Sequence, residues 1–288
     1  MKPNKYIKII AFLTVFCFSS LCFAHGEERK PSMITIGIFP YLNPETLFKL
    51  WDPMRVYLEI KLKQKVIFQT APDYKTFVQR THKGQYNYII TACHFSRLNQ
   101  KDSGFHPLLA PKAKLYGIFV VKEGSPIKGL ADLKGKTIAT PDPLAVITFG
   151  GVETLKKRGI PDEDLSMKSF PSHNSAIMSV QRNQSDAGLC SVRAFNVMRQ
   201  NTKVRLRIVG ETERIPYPIV FMANPAEDPQ KAQEIGNLLV DFFGNTEQGR
   251  RIVEKTSYKE MIIPVESDLV YFDPMLPKLR RLINEKAD

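Results

Sequence analysis

The chain has 288 residues and a mass of 32.8 kDa, room for one or two domains and a sizeable core. Hydrophobic residues make up 43% and charged residues 24%, which excludes a disordered chain, a collagen-like chain and a multi-span membrane protein. The formal charge is +12, and the four cysteines are too few for a disulfide scaffold.

Residues 1–24 read as a secretory signal. Lys2, Lys5 and Lys8 form a basic start, Ile9 to Phe18 an uncharged apolar run, and Cys22-Phe23-Ala24 a small-residue cleavage site. The apolar run is short for a membrane span, which needs about 20 residues. A retained anchor is the alternative, and the large Leu21 before Cys22 argues against a lipoprotein signal. Cleavage after Ala24 leaves a basic chain with Cys93 and Cys190 in an oxidising compartment, where a disulfide is permitted. Basic and acidic residues are interspersed. That fits a solvated surface or the attraction of small anions into a cleft, and argues against nucleic acid as a partner.

Residues 25–32 are polar. Met33–Phe39 alternates, with Ile34, Ile36 and Ile38 on one face, and predicts a strand. Asn43 caps a helix that starts at Pro44 and runs to about Leu62, with a kink or restart at Pro53. A strand follows at 65–70, a helix capped by Asp73 to about Lys83, and a strand at 88–92 leading into a Cys93-His94-Phe95-Ser96 loop. This alternation predicts a parallel sheet, whose ligands sit at the carboxyl ends of strands. The loops after Phe39 and Ala92 are therefore the places to look.

Leu115–Val121 reads as a buried strand, and Lys122–Pro126 breaks the chain. A short helix at Leu130 and a strand near Ile138 come next, then Thr140-Pro-Asp-Pro143 and a helix over 144–158 stopped by Gly159. Strands at 167–170, 187–190, 204–209 and 219–223 alternate with helices at 172–182, 192–199 and 228–243, and further helix follows. The chain crosses between two α/β segments at about 119–124 and again at 214–219.

Several stretches together carry a family resemblance. They are Ile36-Gly-Ile-Phe-Pro-Tyr41, Ala71-Pro-Asp-Tyr74, Ser125-Pro-Ile-Lys-Gly-Leu-Ala-Asp-Leu-Lys-Gly-Lys136, and Ser172-His-Asn-Ser-Ala-Ile-Met-Ser-Val180 with Asp186-Ala-Gly188. In order and spacing the chain resembles the type II periplasmic solute-binding proteins, and more narrowly the phosphonate-binding component of ABC uptake systems. The resemblance implies an α/β fold of two Rossmann-like lobes joined by a two-strand hinge. Lobe 1 would take 25–119 and 219–288, and lobe 2 would take 120–218. It implies a non-enzymatic protein, monomeric and without cofactor, that closes on a small ligand and delivers it to an inner-membrane permease.

Departures from the family pattern bear on the ligand. The loop that carries Ser and Thr hydroxyls in phosphonate binders reads Asp142-Pro-Leu-Ala-Val-Ile-Thr148, with Ala145, Val146 and Ile147 at the hydroxyl positions. Thr91 stands where relatives have an aromatic, Arg193 where they have a carboxylate for a substrate amine, and Tyr217 where an acid is expected. His173 and Tyr41 are kept. A zwitterionic aminophosphonate is therefore disfavoured, and a small oxyanion or organophosphorus anion is expected.

The candidate ligand contacts are Tyr41, Thr91, Cys93, His94, Thr148, His173, Cys190, Arg193 and Tyr217. Each has a plainer reading: Tyr41 as a rim aromatic, His173 as a helix-start group, Arg193 as a partner of Asp186. For Cys93 and Cys190 the readings are buried thiols, a disulfide stapling the lobes, or with His94 a soft-metal site. A sensory or metal-carrying module on the same fold is the rival function. No G-x-S-x-G, H-E-x-x-H or phosphate-loop motif points to an enzyme.

Overall fold

A computed structural model describes residues 33–258 and 260–285. The expected signal segment, its cleavage point and the polar stretch 25–32 lie outside the described residues.

In chain order the strands are β1 (Ile34–Ile38), β2 (Val66–Gln69), β3 (Tyr88–Ala92), β4 (His106–Pro111), β5 (Lys114–Leu115), β6 (Gly117–Lys122), β7 (Thr137–Thr140), β8 (Ser166–Ser169), β9 (Ala187–Ser191), β10 (Leu206–Glu211), β11 (Ile215–Pro216), β12 (Ile219–Ala223) and β13 (Met261–Ile262). The α-helices are α1 (Pro44–Leu62), α2 (Tyr74–His82), α3 (Cys93–Ser103), α4 (Val146–Lys157), α5 (His173–Gln181), α6 (Val192–Asn201), α7 (Pro229–Asn245), α8 (Glu247–Thr256), α9 (Glu266–Val270) and α10 (Leu276–Asn284). None of these helices is long and apolar enough to cross a membrane.

One sheet has six strands in the order β13-β4-β12-β3-β1-β2, with β2, β1 and β3 parallel and β12 antiparallel to β3. The other has five, β10-β6-β9-β7-β8, with β8, β7 and β9 parallel. A two-stranded ribbon, β5 with β11, pairs Leu115 with Ile215 and Lys114 with Pro216 where the chain passes between the sheets. The first passage comes earlier than the expected 119–124. Gly117–Lys122 is already hydrogen-bonded on both sides, to β9 and β10, inside the second sheet.

Local chemistry accounts for most element starts. Asn43 Oδ1 accepts from the Thr46 N–H and Pro44 occupies the first helical position, so α1 begins where its cap and fixed φ place it. Pro53 does not interrupt α1. One face buries Leu47, Leu50, Trp51, Met54 and Leu58 against the first sheet, which outweighs the missing N–H. The expected loop at 93–96 is instead the first turn of α3. Ala92 offers no capping side chain, so the usual start signal is absent, and Gly104 ends the helix at φ 69°.

One apolar core runs continuously from Ile36, Ile89 and Phe221 in the first sheet to Ile138, Leu189 and Phe149 at the second. A separate cluster of Ile118, Val120, Ile177, Cys190 and Phe195 packs α5 and α6 on the second sheet. Helix α4 lies close on β9 because Gly151 faces it. A Cβ there would sit 2.2 Å from a methyl carbon of Leu189.

Helix α3 is fastened to the C-terminal segment by a buried arginine. Arg97, 2% exposed, donates to both carboxylate oxygens of Asp273 (2.5 and 2.8 Å) and to Glu266 (2.6 Å). Truncation by Asp273→Ala leaves that charge short of two bonds and is expected to cost about 2–4 kcal/mol, read as a lower urea midpoint at unchanged slope. The bonds from Arg97 hold the carboxyls of Asp273 and Glu266 below their ordinary values. Their stabilisation is therefore full above the ordinary carboxylate range and lost as pH falls through the lowered values. Asp273→Ala should flatten that acid limb.

Candidate functional site

Residues that follow the carboxyl ends of parallel strands in the two sheets contact one another, and it is at such strand ends that open α/β sheets bind ligands. On the first side the ends of β1, β2 and β3 carry Tyr41, then Asp73 and Tyr74, then His94. On the second the ends of β7, β8 and β9 carry the 141–145 loop, His173 and Arg193.

Two sets of hydrogen bonds and one electrostatic approach join the two sides. The Nε2–H of His94 donates to the carbonyl of Leu144 at 2.8 Å, and its ring lies 6.2 Å from that of Phe149. Asp142 faces Asp73 and Tyr74. Burial pushes the Tyr74 hydroxyl up to about 12, and the Asp142 charge adds to the shift. Burial likewise raises Asp142, opposed by the N–H of Leu144 and reinforced by Asp73. Arg193 forks onto the carbonyls of Thr256 (3.1 Å) and Lys255 (3.2 Å), the free C-terminal acceptors of α8. The same guanidinium acts on Tyr41 and on the buried Tyr258.

Most long helices here carry side-chain caps, among them Asn43, Asp73, Ser172, Ser191, Asp228 and Thr246. Helices α3 and α4, which meet at the His94–Leu144 bond, start at Ala92 and Ala145 with no capping side chain. Their first-turn N–H groups and positive dipole ends suit an anion.

The candidates read from the sequence fall into different roles. Tyr41 stacks on Phe39 at 4.7 Å, and its hydroxyl accepts from the indole of Trp51 at 3.1 Å. Thr91, at the end of β3, is fully buried with a hydroxyl that has no hydrogen-bond partner. Thr148 points its hydroxyl back at the carbonyls of Asp142 (3.0 Å) and Pro141 (3.5 Å), so it belongs to the loop's own wiring. His173 is half-buried, and its Nδ1 accepts from the N–H of Ser191 at 3.3 Å. Arg193 does not pair with Asp186, which accepts from the Thr137 N–H instead. Tyr217 adopts φ 54° at the second crossing, and its hydroxyl accepts from the N–H of Val265 at 3.1 Å. It ties the ribbon to the C-terminal segment.

Cys93 and Cys190, the cysteines among the described residues, are free and buried, so the Cys93–Cys190 disulfide is not formed. Cys93 opens α3 in the large core. Cys190 lies inside β9, not beyond it, in the separate second cluster. Burial pushes both thiols up to about 12. No group of three His, Cys, Asp or Glu among the described residues could hold a metal. Sequence reasoning missed Asp73, Tyr74 and Asp142 as cleft residues. The carboxyl-end rule applied to β2 as well as β1 and β3 would have found the first two.

Burial disfavours the charged form of both His94 and His173. Burial lowers His94 from 6.5 to about 4, against the opposing bond to Leu144, and burial lowers His173 to about 4. The unfolded chain therefore binds more protons, and stability falls as pH drops between those two values. For His94 the loss amounts to about 3 kcal/mol. His94→Gln keeps a donor for the Leu144 carbonyl but does not titrate. Its urea midpoint should fall less steeply over that window than that of the parent chain.

A family model described as "ABC transporter, phosphonate, periplasmic substrate-binding protein" matches residues 36–269. The phosphonates-binding periplasmic protein of Escherichia coli (strain K12) is 24% identical over 276 residues, covering 88% of this chain and 79% of that protein. A Prochlorococcus marinus (MIT 9301) protein solved in complex with methylphosphonate superposes with a TM-score of 0.74 at 15% identity, over 89% of this chain and all of the other. The periplasmic aliphatic sulphonate-binding protein of Escherichia coli gives 0.65 at 16% identity, over 90% of this chain and 96% of the other. These likenesses bear out the expected type II periplasmic-binding-protein fold. With the match spanning most of its length, the chain belongs to the phosphonate family of periplasmic substrate-binding proteins of ABC transporters, a family of carriers and not of enzymes.

Proposed function

We propose that the chain is exported by its N-terminal signal, cleaved near Ala24, and works as a monomer. It captures a small oxyanion or phosphonate-like ligand in the cleft between its two sheets. The β5–β11 ribbon acts as the hinge between two lobes, and the closed form docks on an inner-membrane ABC permease. The observation that carries this reading is the opposition of the parallel-strand ends, with contacts from His94, Asp142 and Arg193 reaching across. Closure by contacts to both walls is the way a ligand biases a hinged pair of lobes.

The ligand set in this reading is Tyr41, Thr91, His94 and His173, with the first-turn N–H groups of α4. Arg193 acts on the closed state by gripping the end of α8. Thr148, Tyr217, Cys93 and Cys190 support the walls. The rival metal or thiol module finds no support in two separately buried thiols.

Trp51 is the single tryptophan and hydrogen-bonds Tyr41 at the cleft. Titration with methylphosphonate should therefore give a saturable change in tryptophan fluorescence, and Arg193→Ala should weaken the apparent affinity by roughly tenfold through loss of the closed state. A flat titration with methylphosphonate, phosphite and methanesulfonate, together with no heat of binding, would overturn the reading.

A further inference from the structure

We propose that the cleft selects an oxyacid monoanion that retains one hydroxyl, and that Nδ1 of His94 accepts the hydrogen of that hydroxyl. The inference rests on the cleft being the ligand site and names the class of ligand it takes.

The tautomer follows from the hydrogen bond. A carbonyl only accepts, so the contact to Leu144 places the imidazole proton on Nε2. Nδ1 then carries a lone pair and is an acceptor. His94 is 1% exposed, and this nitrogen has no hydrogen-bond partner. Buried acceptors are nearly always satisfied. The ring lies between the two walls, stacked on Phe95 at 4.0 Å and held by Leu144 from the opposite side. A group that completes it must bring a donor.

Other residues at the cleft add the remaining requirements. His173 has the reverse polarity: its Nδ1 accepts from Ser191, which leaves Nε2–H as a donor for a deprotonated oxygen. The α4 first turn donates to an anion as well, but Ala145, Val146 and Ile147 supply no hydroxyls there. Asp142 and Asp73 oppose a second negative charge. One formal charge, one hydroxyl and a small apolar part therefore fit together. A fully deprotonated oxyanion or a sulfonate lacks the donor. Charged and titratable groups around His94 are Cys93 on its own helix, Tyr74 against Phe95, Asp142 in the facing loop and Lys278 over the Phe149 ring. Cys93 and Tyr74 stand near 12, far from mildly acid conditions.

The test compares methylphosphonate with methanesulfonate by calorimetry on the intact chain at mildly acid pH. Both probes then carry one negative charge and nearly one shape, and only methylphosphonate has an O–H. The parent chain should prefer methylphosphonate by roughly tenfold or more, because a site built around a hydrogen bond rejects the analogue without it. His94→Gln, whose amide N–H can keep the Leu144 bond while its only acceptor, the amide oxygen, is displaced from the Nδ1 position, should bring the two affinities within about twofold of each other. Equal or tighter binding of methanesulfonate by the parent chain, or an unchanged preference in His94→Gln, would overturn the inference while leaving the cleft-site reading intact. Binding of neither probe would overturn both. Nitrogen-15 spectra of the imidazoles provide an arm that needs no ligand: the His94 resonances should report Nε2–H, and an Nδ1–H or doubly protonated ring would overturn the assignment.

Discussion

The hydrogen bond from His94 to the Leu144 carbonyl is the contact around which the site is organised. It joins the start of α3, at the end of β3, to the loop that ends β7, and so sets how two uncapped helix starts face each other. Two features behind it hold those points. Arg97 pins α3 to Asp273 and Glu266, and Gly151 lets α4 sit against Leu189. A buried charge satisfied by two acids and a backbone approach allowed by a missing Cβ are rigid devices. The cleft is therefore built on fixed elements and not on loops alone.

The cleft differs in kind from one lined by hydroxyls. Leu144, Ala145, Val146 and Ile147 are all buried, and they give the second wall an apolar surface next to the helix start. In the proposed reading, polar selection then falls to few groups: a histidine on each side, the Thr91 hydroxyl and the N–H groups of α4. In a dry cleft a few fixed donors and acceptors discriminate strongly, because an unmatched one has no solvent to turn to. Arg193 has the opposite character. Its fork is engaged by the carbonyls that end α8 and its charge acts on the tyrosines beside it; in the proposed reading that grip favours the closed state.

Much of this was legible in the sequence. The alternation of Ile34, Ile36 and Ile38, the Asn43-Pro44 start and the Asp73 cap announce a parallel α/β sheet, and the joint order of weak motifs reaches the family. Three things were not legible, each for a physical reason. Helix α3 starts without a cap, so Cys93 to Ser96 read as a loop. The change of sheet before Gly117 depends on pairing between strands far apart in sequence, which local pattern does not carry. The fates of Arg193, Tyr217 and Thr148 are set by backbone groups at Thr256, Val265 and Asp142, and backbone partners leave no residue-type signal. Cys93 and Cys190 could be read from the sequence as a bonded or metal-binding pair, yet they pack in two different apolar clusters.

Closure on a ligand is most directly tested by a distance measured across the cleft. Spin labels at exposed Lys49→Cys, on helix α1 against the first sheet, and Lys168→Cys, on β8 of the second, report across the cleft, and the thiols among the described residues, Cys93 and Cys190, are buried. Double electron–electron resonance should give a distribution that shortens and narrows when methylphosphonate is added, and that stays long in Arg193→Ala. A distribution identical with and without every oxyanion tested would contradict a hinged, ligand-closed carrier.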